Sequence, residues 1–138
     1  MSAFLKKLRQ HMLIILGICL VATLAFGQEG HPLDGTWSGD RIVNGEKVRV
    51  LVIMRLLPDQ RIEGTIIENG ARIPLRDVNL DPSAWTVSLT VDGPGRSGEQ
   101  ISYSMEGSIE NLGSARNRII VGQWRDEKEE GDFSLNMN

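Results

Sequence analysis

Four groups of residues in this chain of 138 have the types that chemistry uses. Residues 93–98, GPGRSG, fit the G-x-G-x-x-G spacing of a dinucleotide-binding loop. Such a loop works where a helix follows it and offers N-terminal amides to a pyrophosphate. Here the alternating run QISYSMEG comes next and Pro94 lacks a backbone donor, so the stretch reads as a hairpin loop. Residues 126–132, DEKEEGD, look calcium-like. An EF-hand needs oxygen ligands at alternate positions and a carboxylate at the twelfth. Lys128 takes the third place and Met137 the twelfth, which leaves a solvated turn. His31, beside Pro32, sits in a leader and is poorly placed to act as the base of a nucleophilic site. Glu63 and Glu106 are the remaining candidates for paired acid and base work, with outward-facing charge as their default. No catalytic residue, metal site or cofactor is assigned, and the chain is read as non-enzymatic.

The elements that would have to position such residues begin after an unusual start. Lys6, Lys7 and Arg9 precede an apolar run from Met12 to Phe26, which ends in Ala25-Phe26-Gly27. That order is a secretory signal peptide over residues 1–27, and the run is shorter than the roughly 20 residues that span a bilayer. Membrane contact is expected only through this segment, before cleavage. The one cysteine, Cys19, lies inside it, preceded by Ile18, too large for a lipidation signal. Removal of 27 residues leaves 111 of the 138, enough for one domain. It has no thiol, so only a packed core can hold it in an oxidising compartment. With three cations gone, 12 Lys and Arg face 18 Asp and Glu, a net charge of −6. An acidic chain has little to offer a nucleic-acid backbone.

In the remainder apolar residues recur with period two, the mark of strands with one buried face. Trp85, Val87, Leu89 and Val91 share one side, as do Ile101, Tyr103, Met105 and Ile109, and Phe133, Leu135 and Met137. KVRVLVIMRLL, residues 47–57, is apolar on both sides at its centre. It reads as a strand covered on both faces or as a seat for another subunit. Asn44-Gly45 and Asn69-Gly70 supply two-residue hairpin turns, and further breaks fall at 58–60, 81–83 and 92–95. Eight strands follow, at 36–43, 47–57, 61–68, 71–80, 85–91, 100–109, 118–125 and 132–137, after a flexible leader at 28–35. The expected fold is all-β, an antiparallel up-and-down meander over 36–138 closed or nearly closed into a barrel, with a two-sheet sandwich as the alternative. Pro74 marks an edge, a bulge or an opening in that barrel.

Gly35-Thr36-Trp37 opens the first strand, and Gly122-Gln123-Trp124 echoes it near the other end. The first motif resembles the start of the calycin barrels, the lipocalin and avidin superfamily. The resemblance implies that Gly35 permits a close turn, that Trp37 plugs one end and that a late arginine packs over the indole, with Arg125 as candidate. Trp124 would close the barrel from the other end of the chain. The chain is shorter than a typical lipocalin and lacks its disulfide and C-terminal helix. With three tryptophans and one tyrosine it has few rings for a biotin-type site.

The resemblance implies an exported binding module, periplasmic or extracellular, for a small apolar or vitamin-like ligand, with Trp85, Tyr103 and Met105 as lining residues. The alternative is a protein-interaction module for another envelope protein. Periplasmic metalloprotease inhibitors are similar small barrels whose short N-terminal trunk enters a protease cleft, a role open to QEGHPLDG at 28–35.

Overall fold

The computed structural model describes residues 30–114 and 116–138. The expected signal peptide at 1–27 and the first two leader residues, 28 and 29, lie outside the described residues. Within the unit Pro32–Asn138 eight strands follow one another: β1 (Gly35–Val43), β2 (Glu46–Leu56), β3 (Ile62–Glu68), β4 (Ala71–Asp81), β5 (Thr86–Pro94), β6 (Gln100–Glu110), β7 (Ile119–Arg125) and β8 (Glu130–Met137). Among the described residues there is no helix. Each strand pairs antiparallel with the next, and β8 returns to β1 from Trp37↔Met137 to Arg41↔Phe133. The sheet is therefore a closed barrel rather than a sandwich, and closure pairs the two edges, β1 and β8, that an open meander would expose.

Local chemistry explains the path. Asn44-Gly45 and Asn69-Gly70 take positive φ angles of 52° and 78°, and of 49° and 78°, the pair of left-handed conformations that a two-residue hairpin demands. The GPGRSG stretch closes β5 onto β6 through Gly95 N–H to the Glu99 carbonyl (2.7 Å) and Gly98 N–H to the Gly95 carbonyl (3.1 Å). In DEKEEGD the Asp126 carboxylate accepts the amides of Lys128 and Glu129, and these bonds hold it below the usual carboxylate range.

Inward positions fill the centre. Val50, Val52 and Met54 of β2, Leu89 and Val91 of β5, Met105 of β6, Ile120 of β7 and Leu135 of β8 are all buried. In the 47–57 segment the outward Leu51 and Ile53 are half-buried. Because the strands alternate in direction, the turns form two ends. One carries the hairpins at 44–45, 69–70, 95–99 and 126–129. The other carries the incoming chain at 32–34, the loops 57–61 and 82–85, the connection from β6 to β7, and the C-terminus.

Most strand limits shift by one to three residues from the sequence reading, and two of the shifts change what a residue does. β1 starts at Gly35 rather than 36, and the chain just before it is not slack, since Leu33 is wholly buried. β5 starts at Thr86 rather than 85. Trp85 belongs to the preceding turn with φ 52°, and its carbonyl accepts the amide of Ile109 at 2.9 Å.

Candidate functional site

Period two places Arg41 inward on β1, two pairs of steps from Trp37, and Glu68 inward on β3 beside Ile66. They meet at the hairpin end of the barrel, in two parallel bonds: Arg41 Nε to Glu68 Oε1 at 2.5 Å and Nη2 to Oε2 at 3.0 Å. Glu68 is only 3% exposed. The Tyr103 hydroxyl donates to Glu68 Oε1 at 3.1 Å. The guanidinium lies 4.2 Å from the centre of the Tyr103 ring and 4.6 Å from that of Trp124. The two rings meet edge to face at 6.0 Å. Trp124 in turn donates its indole N–H to the Ile42 carbonyl at 2.8 Å. Gly131 makes this approach possible, because a Cβ there would strike both the Ile42 carbonyl and the indole nitrogen.

Burial opposes the Arg41 charge, but the bond to Glu68 and the neighbouring Tyr103 and Glu68 outweigh it and hold the guanidinium above its ordinary range. Burial, reinforced by the Glu68 charge, pushes the Tyr103 hydroxyl up, so it stays protonated. A protonated phenol and a neutralised ion pair give no base and no nucleophile; they lock three strands together. A bidentate Arg–carboxylate pair is geometrically specific, and a desolvated cation–ring contact is worth about 2 kcal/mol.

The opposite end is closed by an indole and by bonds to backbone groups. Trp37 is fully buried and donates its N–H to the Leu33 carbonyl at 2.9 Å. Asp34 accepts the Leu56 amide at 3.0 Å, and Arg118 donates to the Pro32 carbonyl at 3.2 Å. Gly35 enters β1 at φ 142°, an angle that favours glycine.

The three residues expected to line a pocket do not come together. Met105 is fully buried between Leu89 and Trp124 across its neighbouring strands. Tyr103 belongs to the hairpin-end cluster. Trp85 stands at the other end, 39% exposed, because its turn releases it from the alternation that Val87 continues. The arginine expectation is also corrected. Arg125 follows the inward Trp124 and so points outward, 72% exposed, paired with Glu130 at 3.1 Å. The cation over an indole is Arg41 on Trp124, and the late arginine that reaches the plug is Arg118. Glu63 and Glu106 lie on strands that are not neighbours.

Among the hollows of the outer surface are two that do not open into the centre. One, of about 380 Å³, is a polar groove along β6 and β7 lined by Ser104, Glu106, Ser108, Gln123 and Arg125. The other, of about 480 Å³, lies between the hairpins at Asn44 and Glu129. Among the described residues no three His, Cys, Asp or Glu side chains gather as metal ligands.

Comparison with protein-family models, curated proteins and solved structures returns no match. The eight-stranded closed barrel is consistent with a calycin-like fold, and the geometry of the chain is what bears on its role.

Proposed function

We propose that the protein is an exported, non-enzymatic binding module that engages a partner protein through its outer surface and holds no small molecule in its centre. One observation carries this reading. Trp37, Val50, Val52, Ile66, Val91, Met105, Ile120 and Leu135 have no accessible surface at all. A side chain facing a chamber wide enough for one water would carry some. Ligand pockets occupy about 300–1,000 Å³, so an interior ligand would have to displace several of these side chains. Export rests on the basic head, apolar run and small residues at 25–27. Pro32 and Leu33 belong to the plug, so a trunk that enters a partner's cleft would be drawn from residues ahead of them.

Thermal melting of the purified protein against a panel of apolar and vitamin-like compounds tests the reading. A ligand at about 100 times its dissociation constant stabilises the native state by about 2.7 kcal/mol, which raises the midpoint of a domain this size by roughly 10 °C. The expected result is no shift with any compound. One reproducible shift of that size, abolished by Met105→Ala, would establish the interior pocket and end the proposal.

A further inference from the structure

The closed barrel has its shortest ladder between β3 and β4. β2 and β3 pair over their whole length, from Val50↔Glu68 to Leu56↔Ile62, whereas β3 and β4 pair only from Glu68↔Ala71 to Thr65↔Pro74. Pro74 has no N–H to continue the ladder, and β4 then bulges between Leu75 and Asp77. Beyond the bulge β4 pairs with β5 alone, down to Asp81↔Thr86. Ile62, Glu63 and Gly64 on one side and Val78 to Asp81 on the other are thus paired along one edge only.

The side chains around this gap show the same opening. Val78 and Leu80 stand opposite Leu89 and Val87 and so face inward. Their partners are 1% exposed, yet Val78 and Leu80 remain half-buried, as do Leu75 and Ile62. Leu75 leans over Gly64 and fills part of the space. On the outer face Glu63, Asp77, Asn79 and Asp81 are exposed. Of the nearby cations Arg61 pairs with Asp59 and Arg76 with Asp92, and Arg55 stands across from Glu63 on β2; Asp77 and Asp81 leave the β4 side of the gap negative. Trp85, a large apolar side chain left exposed, closes the turn that follows β4.

We propose that this gap docks an extended segment of a partner protein with alternating apolar and basic residues, added as a strand along the free edge of β4. Main-chain bonds to Val78–Asp81 give such a strand its hold, and alternate side chains give it specificity. Apolar residues turn inward against Ile62, Leu75, Val78 and Leu80; lysines or arginines turn outward beside Glu63, Asp77 and Asp81. Trp85 supplies the aromatic anchor common at the centre of interfaces. Bulges and charges normally blunt a free edge, but the bulge ends at Asp77 and leaves the next four residues open. A second copy of this chain is a poor occupant, since it would set one acidic row against another, and like charges directly opposite destabilise a pair of strands.

This inference rests on the reading of the barrel as a protein-binding module, and its test is separate. The purified chain is titrated with a short peptide alternating valine and lysine, and with a control alternating valine and glutamate, while backbone amides are followed by NMR. The lysine peptide should shift the amides of Val78–Asp81, newly protect the alternate ones that point away from β5, and bind about tenfold more tightly than the control. The variant Glu63→Lys/Asp77→Lys changes only exposed side chains and should reverse that preference. Failure of both peptides at millimolar concentration, shifts located elsewhere, or a preference unchanged in the variant would each overturn the proposal. So would concentration-dependent dimerisation that shifts the same amides without peptide. A small molecule that raises the melting midpoint would instead remove the underlying reading.

Discussion

At the plug end Trp37 lies among apolar side chains and gives its N–H to one backbone carbonyl, whereas at the hairpin end Trp124 lies under a guanidinium that a buried carboxylate holds in place. Both indoles shut a mouth of the same barrel. The apolar closure gains from every square ångström removed from water, about 25 cal/mol each, and depends on no partner charge. The polar closure offsets a large desolvation cost against its own bonds, so its net contribution is small while the penalty for breaking half of it is large. What the second closure adds is geometry. Arg41 and Glu68 are 27 residues apart and can satisfy each other only when β1 and β3 stand in the right positions around the ring.

The largest effect should come from the apolar end. Trp37→Ala empties the plug and is expected to cost about 3–5 kcal/mol in urea unfolding, with no second-site charge change able to restore it. Glu68→Leu should cost a comparable 3–5 kcal/mol for a different reason, because Arg41 is left buried without its counter-ion. Here a rescue exists: adding Arg41→Met should return stability to the starting value or above it. If the double variant stays as unstable as Glu68→Leu alone, the ion pair contributes net stability and the contrast between the two ends collapses.

Most of this architecture is legible in the sequence because it is local. Period two locates the strands, Asn-Gly fixes two turns through backbone angles that other residues resist, and Pro74 announces where a ladder must stop. The same parity rule also reaches further than the aromatic motif that first attracts the eye. Counting from Trp37 puts Arg41 inward, and counting from Ile66 does the same for Glu68, so alternation by itself marks two opposite charges as buried. Parity equally rules Arg125 out, since neighbours on a strand face opposite ways and Trp124 is inward. Trp85 defeats the rule because alternation continues by chance through a turn, where φ 52° breaks it. That Arg41 meets Glu68, and that β4 parts from β3, depend on the pairing offsets around the ring, which no local pattern carries.

The smallest effect separates the ends by pH. Tyr103→Phe keeps the ring beneath Arg41 but removes one hydrogen bond to a charged carboxylate, worth about 1.5–3 kcal/mol at neutral pH. The alkaline response is more telling. Burial first, and the Glu68 charge second, raise the Tyr103 hydroxyl above its ordinary value of 10.0. A tyrosine whose folded value is raised stabilises the fold fully below its unfolded value. That stability is lost as pH rises beyond it, because the unfolded chain then ionises and the folded chain resists. Above pH 10 the unaltered protein should lose up to about 1.4 kcal/mol per pH unit more than Tyr103→Phe does. Trp37→Phe, at the plug end, should leave that slope untouched. Parallel pH profiles for the unaltered protein and Tyr103→Phe would mean that the hydroxyl ionises as freely folded as unfolded, and that the hairpin end admits water after all.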